Sequence, residues 1–337
     1  MGIAWPGLAG ATTTDPTALA LLKLPATVAD LALAGIVGYA LRARPRWAVA
    51  GALAILLSPA VWYISAWWVQ FESLYVLPML VGWALVVRGR PGWAAVAIAI
   101  GLMTKPQALV LAIPFAAYYL RRFGLAGSVR AGLVAVATAA ILWAPFVASG
   151  GIERYLSNLA WYTDLFAVLS LRAWNPWWIF QELAGGGQLV ADNVPNMGAV
   201  TLRWVGVAIA GLLGAAVFRW VWRRPTPAGL AWGLAAACLA AFVGLTAMHE
   251  RYSYAALVFL VLCWPDRLAV GTWLVLSTAV ILNLVAAVPP EGLPGSVIPV
   301  DGAIGIAGSV AITGCFVATL LGLRREEPPS EAISGGA

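Results

Sequence analysis

The chain has 337 residues, 62% of them hydrophobic and 10% charged, and carries a net charge of +6; its mean hydropathy is +0.88. Soluble domains carry about a quarter charged residues, so this composition excludes a large soluble core and points to a membrane protein. The positive balance does not indicate nucleic acid, because nearly all of it is Arg placed in short turns between apolar blocks, where basic residues set membrane orientation.

In chain order, the apolar blocks are 17–41, 47–66, 73–87, 92–103, 107–120, 131–148, 199–220, 227–247, 253–264, 268–288 and 303–323. They are too long and continuous for barrel strands, so the expected fold class is all-α: a polytopic helical membrane protein of about eleven segments. Residues 1–323 form one transmembrane domain, and 324–337, rich in Glu, Pro, Ser and Gly, a disordered tail. One set of turns holds Arg42, Arg44, Arg46, Arg88, Arg90, Arg121, Arg122, Arg130, Arg219, Arg223, Arg224, Arg267, Arg324 and Arg325. The opposite set holds Asp15, Glu72, Glu153, Asp164, Glu182, Asp192, Glu250, Glu291 and Asp301. The Arg-rich set is expected to be cytoplasmic, which puts the N-terminus outside and the C-terminus inside. Met1–Thr14 lacks the basic start of a signal peptide, so either a short tail is translocated or an upstream helix and outer loop precede the chain.

Blocks 92–103 and 107–120 are short for a membrane span. A 12-residue helix reaches roughly 18 Å against a hydrocarbon core of ~30 Å. The pair meets at Thr104-Lys105-Pro106-Gln107, a corner expected to hold Lys105 below the outer surface beside a polar cavity. The longest polar stretch, 149–198, is an outer loop with Tyr155, Trp161, Tyr162, Trp174, Trp177 and Trp178. Within it, Leu156–Leu171 reads as an amphipathic helix on the interface, or the aromatics form an anchoring belt. Cys238, Cys263 and Cys315 lie in apolar blocks without paired spacing, and with the single His249 they make no metal cluster. No metal or cofactor is expected. No internal repeat, Gly-rich phosphate loop or Ser/His/Asp arrangement stands out.

Charge inside a membrane costs about 2.5–3.5 kcal/mol per residue at a helix centre, which makes the few intramembrane polar groups functional candidates. Trp67-Trp68-Val69-Gln70-Phe71-Glu72-Ser73 offers Gln70 and Glu72 to sugar hydroxyls and a Trp face for stacking; the plain alternative is a polar helix end. Lys105 with Gln107 suits a phosphate, or Lys105 snorkels to the surface. Met248-His249-Glu250-Arg251-Tyr252 interrupts two apolar runs with side chains unusual for a simple turn, and His249 and Arg251 suit a phosphate leaving group. Lys23 and Asp30 share a helix face, Asp30 reading as a buried structural acid paired with another helix.

Taken in order, Leu22-Lys23-Leu24-Pro25 with Asp30, Gln70-Phe71-Glu72-Ser73, Lys105-Pro106-Gln107, Asn175-Pro176-Trp177-Trp178 and His249-Glu250-Arg251-Tyr252 resemble the GT-C glycosyltransferases. The similarity is to bacterial mannosyltransferase-like proteins and to the dolichyl-phosphate-glucose-dependent glucosyltransferases, and runs over roughly residues 17–265. It implies transfer of a hexose or pentose from a polyprenyl-phosphate donor, with inversion, to a glycan, lipid or protein acceptor at the outer face of a bacterial plasma membrane. It further implies donor-phosphate binding by Lys105, His249 and Arg251, and substrate contacts from Gln70, Gln107, Asn175, Trp177, Glu250 and Tyr252. The family's base is an acid in the first outer loop. The first helix and that loop have no counterpart here, Asp15 is the only upstream acid, and Glu72 is the candidate base. Val69 stands where the family has Gly. The competing readings are a transporter or flippase, and an inactive relative that binds lipid-linked sugar.

Overall fold

A computed structural model describes residues 15–186, 188–197, 200–290 and 297–326. Glu291, Met1–Thr14 and the expected tail beyond Glu326 lie outside the described residues. The fold is all-α, a bundle of helices α1 (Pro16–Ala40), α2 (Pro45–Leu56), α3 (Pro59–Trp62), α4 (Glu72–Val86), α5 (Pro91–Thr104), α6 (Ala112–Ala148), α7 (Gly151–Leu165), α8 (Pro176–Gly185), α9 (Leu202–Arg223), α10 (Pro227–Gly244), α11 (Tyr254–Val261), α12 (Arg267–Ala287) and α13 (Gly302–Arg325). Four strands of two or three residues accompany them: β1 (Ser170–Leu171), β2 (Pro195–Met197), β3 (Val200–Thr201) and β4 (Met248–His249). β1 pairs in parallel with β4, and β2 antiparallel with β3. Among the described residues seven helical stretches are long and apolar enough to cross a membrane: Pro16–Ala40, Pro45–Trp67, Pro106–Ala148, Leu202–Arg223, Pro227–Gly244, Arg267–Ala287 and Gly302–Arg325. The protein is therefore an integral membrane protein by its helices.

Proline sets many of the starts. Pro16, Pro45, Pro59, Pro91, Pro106, Pro176 and Pro227 each open a helical segment, where the missing N–H costs nothing and φ is preset. Asp15 Oδ1 caps α1, accepting from the N–H groups of Thr17 and Ala18 at 2.9 and 3.0 Å. Its carboxylate is thereby committed to the helix end.

The centre of the bundle is α10, buried on nearly every side, as expected of a helix apolar all round. It packs on α9, α11 and α13. Small residues permit the close approach to α9: a Cβ on Gly244 would meet Ala210 Cα at 2.8 Å, and one on Gly206 would meet the Gly244 carbonyl at 3.0 Å. Such contacts are how helices gain dispersion energy where lipid removes the hydrophobic drive.

Three boundaries differ from expectation. The blocks 107–120 and 131–148 are two helical parts of α6 that meet at a kink at Gly124, with φ +66°, rather than across a turn, and helix runs through 125–130. A single glycine in the left-handed region suffices to redirect the chain. The interfacial helix expected over Leu156–Leu171 is instead α7, ending at Leu165. After it the chain extends, because Ser170 and Leu171 join Met248 and His249 in a ladder, and Ala247 N–H donates to the carbonyls of Val168 and Leu169. Tertiary pairing overrides the helical period there. At the other terminus, α13 continues through Arg325, so the first residues of the expected tail are helical.

The Arg-rich turns gather at one end of the bundle. Arg42 and Arg88 lie over the Tyr39 ring at 4.0 and 5.0 Å, and Arg223, Arg224 and Arg324 surround Trp220 at 5.6 to 5.8 Å. Planar guanidinium groups stack on aromatic faces, so these arginines also clamp the helix ends they flank. The chemistry-bearing motifs lie at the opposite ends of the same helices.

Candidate functional site

The site is built from three helix ends. α4 begins at Glu72, an acid in a first helical turn, favoured there by the helix dipole. α5 ends at Lys105, a cation at a helix C-terminus, favoured for the opposite reason. Pro106 forces the preceding residue out of the helical region, and Lys105 is extended, with φ −155° and ψ 131°. The third end is the connection from α10 to α11, which carries β4 and the turn Glu250–Ser253.

These ends converge on one ion-pair chain. Lys105 Nζ donates to Glu72 Oε1 at 2.6 Å. Arg251 Nε stands 3.1 Å from the same oxygen, an ion pair whose N–H points off the hydrogen-bond direction, since Nε has no hydrogen-bond partner. Arg251 Nη1 donates to Glu250 Oε1 at 3.0 Å, and His249 Nδ1 lies 3.9 Å from Glu250 Oε2. The side chains of Glu72 and Glu250 are 1% and 4% exposed, against 18%, 13% and 17% for Lys105, Arg251 and His249. The acids are the fully buried members and the basic side chains retain some exposure. Aromatic rings complete the shell: Trp68 lies 4.7 Å below the Arg251 guanidinium, and Tyr252 lies 5.6 Å from Lys105 Nζ and 5.1 Å, edge-on, from the His249 ring.

Burial pushes the Lys105 ammonium below its usual range, while Glu72 pulls it back up. Burial also acts to raise the Glu250 carboxyl, but the hydrogen bond and charge of His249, with Arg251, outweigh it and hold the group below the ordinary carboxylate range.

An open cleft of about 330 Å³ is lined by Trp68, Arg172, Leu189, His249, Glu250 and Arg251, among others, a size at the lower end of ligand pockets. A narrower cavity of about 60 Å³ lies behind it, between Tyr75, Gln107, Cys238, Phe242 and Tyr252. His249 and Arg251 thus share a cleft. Lys105 does not line it and is linked to it through Glu72. Gln107 Oε1 is buried without a hydrogen-bond partner among the described residues. Gln70 is half-buried, its backbone N–H donating to Ile64.

Asn175 and Trp177 are placed differently. Asn175 is buried, caps α8 through Trp178 N–H, and donates to the Phe242 carbonyl at 3.0 Å; Trp177 Nε1 donates to Gly244 at 2.9 Å. Both bind the segment 149–198 to the end of α10 rather than opening into the cleft. Asp30 accepts from Tyr254 Oη at 3.0 Å, so it pairs with α11 as the sequence suggests, and Lys23 joins neither that contact nor the ion-pair chain.

Three residues with side chains hold left-handed backbone around the cleft: Val69 at φ +59°, Arg172 at +59° and Ala247 at +57°. A five-residue π-helix, Tyr63–Trp67, leads into Val69, and π-turns are frequent at functional sites. For a β-branched residue this conformation is a true outlier, costing ~1–3 kcal/mol. Val69→Gly is expected to stabilise the protein by up to ~1 kcal/mol, glycine's larger unfolded-state entropy taking back part of the relief. Thermal unfolding in nanodiscs measures it; a loss of stability would mean that Val69 packing outweighs the strain.

The reading by motif missed two groups. Arg172 lies at the cleft mouth. Asp192, fully buried, receives Arg203 Nη2 at 2.8 Å and Thr246 Oγ1 at 2.6 Å, tying the segment before α9 to α9 and to the end of α10. Asp192→Ala is expected to cost about 3 kcal/mol, since Arg203 and Thr246 lose their shared acceptor, and to speed proteolysis of 188–197. The signal for both was present: outside the Arg-rich turns the basic residues are only Lys23, Lys105, Arg154, Arg172, Arg203 and Arg251.

These features define a polytopic helical membrane protein with a buried ion-pair chain opening into a cleft at one end of its bundle. Comparison with protein-family models and with curated proteins finds no match for the chain.

Proposed function

We propose that the chain is a GT-C-like glycosyltransferase that moves a sugar from a polyprenyl-phosphate donor to an acceptor at the extracytoplasmic face of a bacterial plasma membrane. In this reading the Arg-rich ends are cytoplasmic, the N-terminus outside and the C-terminus inside. About eleven segments then enter the membrane, the short helices α4, α5 and α11 and the two halves of α6 included. The observation that carries it is the recessed charge cluster. α5, at 14 residues, is roughly 21 Å long against a hydrocarbon core of ~30 Å, and α11 is shorter still at 8 residues. On this reading the short helices hold Lys105, His249 and Arg251 below the interface, where a lipid-linked phosphate is attracted. Compact anions meet cations strongly in such partly desolvated surroundings.

The chemistry is a single displacement. A carboxylate, Glu72 being the candidate, takes the proton of the acceptor hydroxyl. The acceptor oxygen forms its bond to the anomeric carbon as the carbon–oxygen bond to the lipid phosphate breaks. The phosphate leaves as an anion beside His249 and Arg251. General-base help of this kind contributes typically 10²–10⁴-fold.

A second reading has one observation behind it. Glu72 Oε1 is engaged by both Lys105 and Arg251 and the carboxylate is buried, an arrangement that also suits a carboxylate which only organises cations, as in a non-catalytic binding protein or a flippase. The test is transfer of radiolabelled hexose or pentose from polyprenyl-phosphate donors by the purified protein in nanodiscs, with membrane lipid extract as acceptor. Labelled product supports the transferase. Donor binding, or movement of donor between leaflets in vesicles, without any product would replace it with the second reading.

A further inference from the structure

We propose that Arg172, rather than Lys105, supplies the free positive charge that captures a phosphate monoester or diester in the cleft. The proposal rests on the transferase reading for its ligand class and adds the residue that first meets the ligand.

Lys105 and Arg251 each face a carboxylate, and together Glu72, Lys105, Glu250 and Arg251 sum to zero. An arriving anion gains little from cations already neutralised at 2.6 to 3.1 Å. Arg172 is different. It lines the same cleft as His249 and Arg251, it is solvent-exposed, and among the described residues the one hydrogen bond of its side chain is a long 3.5 Å contact from Nη1 to the Ala287 carbonyl. Among those residues that neutral acceptor leaves the charge uncompensated and the remaining donors of the guanidinium fork available.

The backbone holding Arg172 is also built for the purpose. Its left-handed conformation persists only where the surroundings over-determine it, and the surroundings do. Asn283, fully buried on α12, donates from Nδ2 to the Arg172 carbonyl at 2.8 Å and accepts at Oδ1 from Trp174 N–H at 3.0 Å. The ladder of β1 with β4 ends on the pair Leu171 and His249, and Arg172, the next residue, forms a separate antiparallel bridge with His249. The two groups thus stand on adjoining backbone at one wall of the cleft, with Arg251 beyond.

The test uses the full chain in phosphatidylcholine nanodiscs. One arm titrates inorganic phosphate by calorimetry; the other dopes the nanodiscs with polyprenyl phosphate and follows the thermal midpoint. Wild type is expected to respond in the lipid arm, and a response in the phosphate arm as well identifies the headgroup charge as the recognised group. Arg172→Gln is expected to weaken the response at least about tenfold, or ~1.4 kcal/mol, and Arg172→Lys less. A third measurement needs no variant: the ligand is expected to slow phenylglyoxal modification of Arg172 in the wild-type protein, read by peptide mass. Unchanged modification and unchanged affinity in Arg172→Gln, with binding lost in Arg251→Ala, would overturn the assignment and leave the transferase reading standing. No response to either ligand in wild type would overturn both.

Discussion

Glu72→Ala is expected to cost about 3 kcal/mol of stability, more than the other substitutions at the cleft. The carboxylate is 1% exposed and is the shared counter-ion of Lys105 and Arg251. Its removal leaves Lys105 with no carboxylate in contact, in a place it occupies only because Pro106 ends α5 there. Breaking a buried pair by deleting one partner costs ~3–5 kcal/mol; the lower figure applies because Lys105 retains 18% exposure. The diagnostic is a double-mutant cycle. Replacing Lys105 by Met in the Glu72→Ala background removes the orphaned charge and should recover at least half of the loss, giving a coupling energy well outside additivity. Equilibrium unfolding in mixed micelles reads all four corners. Additive single effects would show that the ion pair is not what holds α4 to α5 at this end.

Arg251→Ala is expected to lower kcat for sugar transfer about 10²–10³-fold while leaving the fold nearly intact. Deleting this residue is tolerable because each acid keeps one partner: Glu72 retains Lys105, and Glu250 retains His249. What is lost is the cleft-lining guanidinium that stacks on Trp68 and reaches both carboxylates. A group that stabilises a departing phosphate acts on charge that develops in the transition state, so the loss should appear in kcat as well as kcat/KM. A rise in KM alone would assign Arg251 to ground-state binding. Arg251→Lys should not restore activity, because an ammonium cannot reproduce the planar stack or the fork.

The class of fold was legible in the sequence, and for simple reasons. Apolar blocks of near-spanning length admit one solution in lipid, the helix, and the prolines at 16, 45, 91, 106 and 227 mark where helices begin. The corner at Lys105-Pro106 was also readable, because X-Pro geometry is local. So was the charge pattern that separates the two ends. The assignment of Asp30 to a partner on another helix followed from the cost of leaving a buried acid alone.

The particulars of the site were decided by tertiary structure. Periodicity carried a helix through Leu171, but the chain leaves it at Leu165 to pair with Met248–His249, a contact between residues some eighty positions apart that no local pattern encodes. That pairing sets Leu171 opposite His249, and the bridge that follows it holds Arg172 against the same residue, at the cleft. Asn175 and Trp177, to which the resemblance gives substrate contacts, have their polar atoms satisfied by the end of α10, which only packing could settle. Composition placed the cations on one end of the bundle; which of them is neutralised and which is free depends on distances of a few ångströms. Coulomb energy varies over that scale and sequence spacing does not.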